Sequence, residues 1–318
     1  MVRTQSAGAV QGAIRSRVIT WFIGLTLIMV MAVGGCSQGA RTDGGPALED
    51  ESAIRETQDI AAMAASLVNV YMDARVTDML VCSAICDRLR EGLTSPGARA
   101  DANRALEAWL KASGAYDAIL LLDKTGVCVA SAPEGFVNED FSNDEAFKGA
   151  VKGKLTISDF HQSPVLTSLD PKSKGWTLAI AVPLKVGKDV EGVFVSYLKW
   201  KRLEELVFRI KVGRTGYVFV LNSKNQVIVH PAQQLHGVGV RDPQINLPQL
   251  DAAIRQKAPH FSYQFKNRKT DKMDTKISGF TYLQGYGNFP GLGWVVGAGA
   301  DRSEIGELPF LMRLFRLK

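Results

Sequence analysis

The chain is poor in the residues from which catalytic and metal centres are most often built. Its 318 residues include four histidines and four cysteines. His161, His230, His236 and His260 are scattered, and no two stand at the spacing of a His-Glu-x-x-His metal site. Cys36, Cys82, Cys86 and Cys128 form neither a Cys-x-x-Cys pair nor a Cys/His cluster of zinc spacing. There is no Gly-x-Ser-x-Gly elbow and no phosphate-binding loop. GYGNFPGLG at 285–293 is glycine-rich, but it leads into a strand rather than a helix N-terminus, so its N–H groups lack the context that cradles phosphate. These absences argue against an enzyme and against a resident metal or cofactor. A strong excess of one charge is also missing. Net charge is +6, and the first 35 residues hold Arg3, Arg15 and Arg17 with no acid, which leaves 35 basic against 32 acidic residues in the remainder. Without aromatics interleaved among basic clusters, that balance excludes a nucleic-acid surface.

No apolar run reaches the length of about 20 residues that a membrane span needs. The nearest is VITWFIGLTLIMVMAV at 18–33, preceded by Arg15 and Arg17 and followed by GGCSQGARTDGGP. Positive residues, an apolar core and small residues make an export signal over 1–35. Two anchors remain open. AVGGC resembles the bacterial lipobox, which implies lipidation of Cys36 and removal of residues 1–35. The alternative is an uncleaved single span, with Gly34 to Ser37 extending the apolar run. The stretch 36–47 carries Gly39, Gly44, Gly45 and Pro46 and reads as a flexible tether. Either way the body is exported, and its N-terminus meets the membrane.

From Leu48 to Arg90 there is neither proline nor glycine. Ile60, Met63, Leu67, Val70, Tyr71 and Ala74 follow 3–4 spacing, so 48–92 is expected as one long helix, about 60 Å of rod, ended by GLTSPG at 92–97. Such a rod also offers a surface for a homodimer. Asp101 to Ala112 is expected as a shorter helix. Cys82 and Cys86 lie in the helical stretch, and their redox state stays open.

The chain then repeats itself. AILLLDKTGVCVASAP (118–133) and GRTGYVFVLNSKNQVIVHP (213–231) both read strand, turn, strand. Asp123 matches Asn222 and Gly126 matches Asn225, both at an offset of 99 residues, and both pairs suit a tight turn. EGVFVSYLKWKRLEEL (191–206) is echoed by LGWVVGAGADRSEIGEL (292–308), which puts Ala298 near the position matching Tyr197. Two echoes in one order at one spacing imply two copies of a small α/β unit. The expected class is α+β, with a long helix followed by two tandem PAS-like units built on antiparallel sheets, at 93–206 and 207–308.

A long first helix and two such units resemble the double Cache domain of bacterial chemoreceptors and sensor kinases. GRTGYVFVLNSKNQVIVHP resembles the opening hairpin of the second unit. DFSNDEAFKGAVKGKLTISD (140–159), GWTLAIAVPL (175–184) and VEGVFVSYL (190–198) resemble the helix and central strands of the first. GWVVGAGADRSEI (293–305) resembles the last strand of the second. The resemblance covers residues 48 to 308. It implies an extracytoplasmic small-molecule sensor whose pocket lies in the membrane-distal first unit. In the amino-acid-binding members an Arg and an aromatic near that helix hold the ligand carboxylate, and an Asp late in a central strand holds the amino group. Here Asp144, Ala146 and Tyr197 stand at those places, so the α-amino-acid set is absent. The polar groups offered instead are Asp144, Asp159, His161 and Tyr197, with Phe141, Phe147 and Trp176 as walls. Acids and aromatics without an Arg favour a cationic or neutral polar ligand.

The second unit is expected to relay rather than bind. Small residues around Ala298 present no side chain to a ligand and should close the sheet on its helix, leaving little cavity. His230 is expected to make a structural hydrogen bond. LPFLMRLFRLK (308–318) has too few apolar residues to cross a bilayer and reads as an amphipathic tail over 309–318. Output therefore falls to a partner protein or to an output module absent from this chain. The alternative is a stand-alone solute-binding lipoprotein with no direct signalling role.

Overall fold

The computed structural model describes residues 46–266 and 273–305. The export segment, Cys36, the tether up to residue 45 and the tail over 309–318 lie outside those residues. Helix α1 spans Pro46–Ile85 and is followed by α2 (Asp87–Thr94) and α3 (Arg99–Ser113). The single helix expected over 48–92 is thus broken at Cys86, whose ψ of 88° is not helical. Neither proline nor glycine marks the break. Arg90 stabilises it by turning back and donating to the Ser83 and Ala84 carbonyls at 2.7 and 3.2 Å, so the end of α1 is capped by a guanidinium.

Two five-stranded antiparallel sheets follow. The first joins β1 (Tyr116–Asp123), β2 (Cys128–Ala132), β3 (Thr156–Ile157), β6 (Ala179–Val186) and β7 (Asp189–Leu198) in the order β2-β1-β7-β6-β3. Short strands β4 (His161–Gln162) and β5 (Trp176–Thr177) pair beside it. Helices α4 (Glu145–Ala150) and α5 (Pro164–Leu169) cover one face, and α6 (Trp200–Val207) leads onward. The second sheet joins β8 (Tyr217–Leu221), β9 (Val227–Val229), β10 (His260–Lys266), β11 (Met273–Tyr282) and β12 (Val295–Asp301) in the order β10-β11-β12-β8-β9. Helix α7 (Pro248–Arg255) lies over it. Read from the hairpin outward, the two orders are the same.

The hairpin turns show why the repeat was legible. Asp123 Oδ1 accepts from the Thr125 and Val127 amides, and Asn222 Oδ1 accepts from the Lys224 and Gln226 amides. Gly126 (φ 95°) and Asn225 (φ 57°) take the left-handed positions. Cys82, Cys86 and Cys128 are free thiols, and burial raises Cys82 and Cys128 to about 12.

Helix α1 buries a stripe of Ala53, Ile60, Ala61, Ala64, Ala65, Val68, Met72, Val76 and Met79. Of the stripe expected from the sequence, Ile60 lies on this face and the rest does not. Met63, Leu67, Tyr71 and Ala74 are only half-buried, and Val70 is 50% exposed. Bulky residues marked a face, but alanines make the real seam because they let a sheet come close. The extreme is Gly279 in β11, where an added Cβ would sit 2.3 Å from the Gln58 amide nitrogen of α1. The rod touches β6 of the first sheet and β11 and β12 of the second, so one core runs beneath both lobes. Smaller clusters fill the outer face of each sheet.

Candidate functional site

In the first lobe, four of the seven expected ligand residues meet on the outer face of the sheet. Asp144 caps α4, its Oδ1 accepting from the Ala146 and Phe147 amides at 2.8 and 3.1 Å. Its Oδ2 accepts from the Tyr197 hydroxyl at 3.3 Å. Tyr197 is 1% exposed, and burial, then the Asp144 charge, pushes its phenol well above the usual range. Phe147 is buried and Phe141 half-buried against the same cluster. The acid and the hydroxyl satisfy each other, and the rings pack around them.

The other three residues lie at the junction of the lobes. Asp159 accepts from Trp294 Nε1 and Asn222 Nδ2 of the second lobe, each at 3.2 Å, and from the Phe160 amide at 2.8 Å. Trp176 stacks on Phe160, with centroids 4.7 Å apart and planes 8° apart. Phe160 meets Trp200 at 4.5 Å, and Trp200 meets Trp294 at 5.9 Å. Trp200 Nε1 donates to the Ile228 carbonyl at 2.7 Å. Gly237 of the second lobe lies so close to Trp176 that an added Cβ would fall 2.3 Å from its ring. His161 Nδ1 lies 2.9 Å from the Asp159 carbonyl, which can only accept, so the proton sits on Nδ1. These residues tie the lobes together. The sequence singled out Asp159 and Trp176 but missed Phe160, Trp200 and Trp294; Trp200 and Trp294 find partners in the other repeat.

A cavity of about 230 Å³ lies in the second lobe, on the face turned away from α1. Tyr217, Phe219 and Leu221, alternate residues of β8, form its floor. Phe261 and Tyr263 of β10 and Leu250 of α7 contribute walls, and Lys276, Ser278 and His230 supply polar groups. The expectation of little cavity here is overturned, and strand periodicity explains how. Ala298 and Ala300 face α1, where small side chains do bring sheet and helix together. Gly297 and Gly299 face the other way. Phe219 lies across Gly297, where an added Cβ would meet the ring at 2.2 Å. The ring lies over the strand, and the space above it stays open.

The polar groups of this cavity are distinct in kind. Lys276 Nζ stands 4.9 Å from the centre of the Tyr217 ring and 3.8 Å from Asp301 Oδ1. Burial, outweighing Lys276, raises the Asp301 carboxyl above its usual range. His230 Nδ1 accepts from the Ala232 amide at 2.9 Å, the structural bond expected of it. Burial first, then His236 and Lys276, lower His230 to about 4. It is therefore neutral at pH 7, with its proton on Nε2. Burial also raises the Tyr217 phenol and pushes Tyr263 up to about 12. Among the described residues no His, Cys, Asp or Glu cluster has metal-binding geometry, and no helix is long and apolar enough to cross a membrane.

Comparison with known proteins places these features in context. A family model, dCache_1, described as Cache domain, matches residues 50–307. The ligand-binding domain of the Pseudomonas fluorescens chemoreceptor CtaA, solved with L-serine, is similar at 16% identity and a TM-score of 0.56, covering 80% of this chain and 99% of that one. That of the Campylobacter jejuni chemoreceptor Tlp3, solved with 4-methylisoleucine, has 13% identity and a TM-score of 0.62, covering 86% and 98%. The sensor domain of the Vibrio cholerae histidine kinase DctB has 14% identity and a TM-score of 0.57, covering 79% and 98%. Comparison with curated protein sequences finds no match.

Proposed function

The chain belongs to the dCache branch of the Cache-domain family, and from that premise we propose that it is an extracytoplasmic small-molecule sensor. Its N-terminal segment holds it at the cell envelope, and it passes ligand occupancy to a signalling partner. The observation that carries this reading is the rod. Helix α1 leaves the tether and buries one continuous stripe against both sheets. A change in either lobe therefore acts on one element joined to the anchor. Asp159 and the Trp176–Phe160–Trp200–Trp294 stack, here assigned to coupling rather than ligand contact, stiffen the junction.

Two relatives are solved with amino acids. In the first lobe of this chain the facing polar groups are Asp144 and the Tyr197 hydroxyl, and a carboxylate would meet an acid there. We assign that face a cationic or neutral polar ligand, which enters by replacing the Asp144–Tyr197 hydrogen bond, with Phe141 and Phe147 as walls.

Thermal denaturation of the full chain in detergent micelles against a metabolite library tests the sensor reading. A ligand at a hundredfold excess over its Kd adds about 2.7 kcal/mol. A library broad in charge and size that shifts nothing overturns it. Intact mass of membrane-extracted protein tests the anchor: residues 1–35 removed and a lipid on Cys36 are expected, whereas a species beginning at Met1 leaves the single span.

A further inference from the structure

We propose that the second lobe has a ligand site of its own, and that its cavity takes a small monoanion, a carboxylate on a compact apolar body, with the carboxylate against Lys276. Occupancy there needs nothing from the first-lobe site; only its consequence for signalling rests on the sensor reading above.

The size comes first. About 230 Å³ lies below the roughly 300–1,000 Å³ of pockets for drug-sized molecules. The occupant is a small metabolite. Its body is set by the rings of Phe219 and Phe261 and by Leu221, Val240 and Leu250, which offer apolar contact on several sides. Its charge is set by Lys276. The Lys276 side chain is 16% exposed, and Asp301, its ion-pair partner among the described residues, lies at 3.8 Å, beyond a direct hydrogen bond. A mostly buried cation with a loose partner gains from a second anion brought within hydrogen-bond reach. The Ser278 hydroxyl and the neutral His230 ring line the same space and supply further donors.

The same inventory rejects other classes. No Asp or Glu is among the lining residues, so the ammonium of an α-amino acid would be left unpaired against apolar walls. An amine meets Lys276 as a like charge. A dianion brings two charges to one cation that Asp301 already offsets in part.

Isothermal titration of the full chain in detergent micelles with isovalerate, hexanoate and phenylacetate, with their amides, and with leucine tests the proposal. At least one acid binds, its amide binds tenfold or more weakly, and leucine gives no heat. Lys276→Met lowers affinity for that acid tenfold to a hundredfold, while Lys276→Arg stays within a few-fold of the parent. An amide that binds as well as its acid overturns the assignment, as does a Lys276→Met protein that titrates like the parent. If Lys276→Met does not fold, the acid-to-amide ratio on the parent and the Lys276→Arg titration still decide. A library compound of another class that stabilises the parent while none of the acids binds leaves the sensor reading standing and removes this one.

Discussion

The two lobes have the same strand order and face the same rod, yet on matching faces the first brings a tyrosine to an acid and the second carries a cavity of about 230 Å³. The difference lies in where each repeat keeps its bulk. On the outer face of β7 stand Val193, Val195 and Tyr197, and across from them on β1 stand Leu122, Leu120 and Ala118. The corresponding residues of β12 are Val295, Gly297 and Gly299, opposite Leu221, Phe219 and Tyr217 of β8. Bulk has moved from the last strand to the first. In the first lobe Tyr197 rises from the sheet to meet Asp144 and close the space. In the second, Phe219 and Tyr217 lie beside glycines and leave the space open. A duplicated scaffold can thus furnish the same face differently in its two copies without changing topology, because strand alternation lets each face be edited separately.

The largest expected effect comes from the rod, where the lobes differ again. Gly279 in β11 pairs with Ala298, and the matching place in the first sheet, opposite Ser196, is Ile180. The second sheet therefore lies closer to α1. A side chain at Gly279 meets helix backbone at 2.3 Å, and backbone cannot swing aside. Gly279→Val is expected to cost about 4 kcal/mol or more. Ile180→Ala, which leaves a cavity under the first lobe, costs about 2–4 kcal/mol. Urea denaturation of both orders them; a Gly279→Val protein as stable as the parent would erase the difference in approach.

Next comes the junction. Asp159→Ala strands the Trp294 donor, leaves Asn222 Nδ2 with Gln226 Oε1 alone, and is expected to cost about 2 kcal/mol. Differential scanning calorimetry should then resolve two transitions where the parent has one. A single unshifted transition would mean that the lobes are joined through α1 alone.

Acid separates the lobes further. The unfolded imidazole titrates near 6.5, and folded His230 is lowered to about 4. Above 6.5 its contribution is fully present, and it is lost as pH falls from 6.5 towards 4, because the unfolded state takes up the proton first. The ring is partly exposed, so the loss is about 1–3 kcal/mol at most. Asp78, Asp117 and Asp301, raised chiefly by burial, act in the opposite sense as they protonate. The difference between the parent and His230→Asn across pH 4 to 7 isolates the histidine. Curves that run parallel through that window would show that His230 is not held neutral.

Much of this architecture was legible in the sequence, and what was not has a common cause. The hairpin repeat was readable because turn chemistry is local: Asp123 and Asn222, Gly126 and Asn225 speak for themselves. The cap at Asp144 is local as well. The face of α1 was only partly read because Ala53, Ala61, Ala64 and Ala65 belong to its seam, and hydrophobic periodicity undervalues alanine. The cavity of the second lobe was missed because the sequence echo puts only small residues near the position of Tyr197 and does not say which face each one takes. Ladder register instead places Gly299 at that position, since Tyr197 opposes Ala118 and Gly299 opposes Tyr217. A slip of one residue turns a strand over. The role of Asp159 was hidden for a different reason: its partners Asn222 and Trp294 are 63 and 135 residues away, and no local pattern reports such contacts.

The smallest expected effect tests whether the first lobe is truly plugged. Tyr197→Phe keeps the ring and removes only the hydroxyl. Asp144 Oδ1 still accepts two amides, and Asp144 is half-buried, so water can reach Oδ2. Neither partner is left stranded, and the cost should be about 0.5–1 kcal/mol. Tyr197→Ala is different in kind. It empties the space the ring fills and should cost about 3–5 kcal/mol, and it gives the first lobe a hollow of the sort the second lobe has by nature. If the phenyl variant costs as much as the alanine one, the hydroxyl–carboxylate contact rather than the ring closes that face, and the contrast between the lobes is one of hydrogen bonding, not of bulk. Urea titrations of the two variants beside the parent distinguish these outcomes.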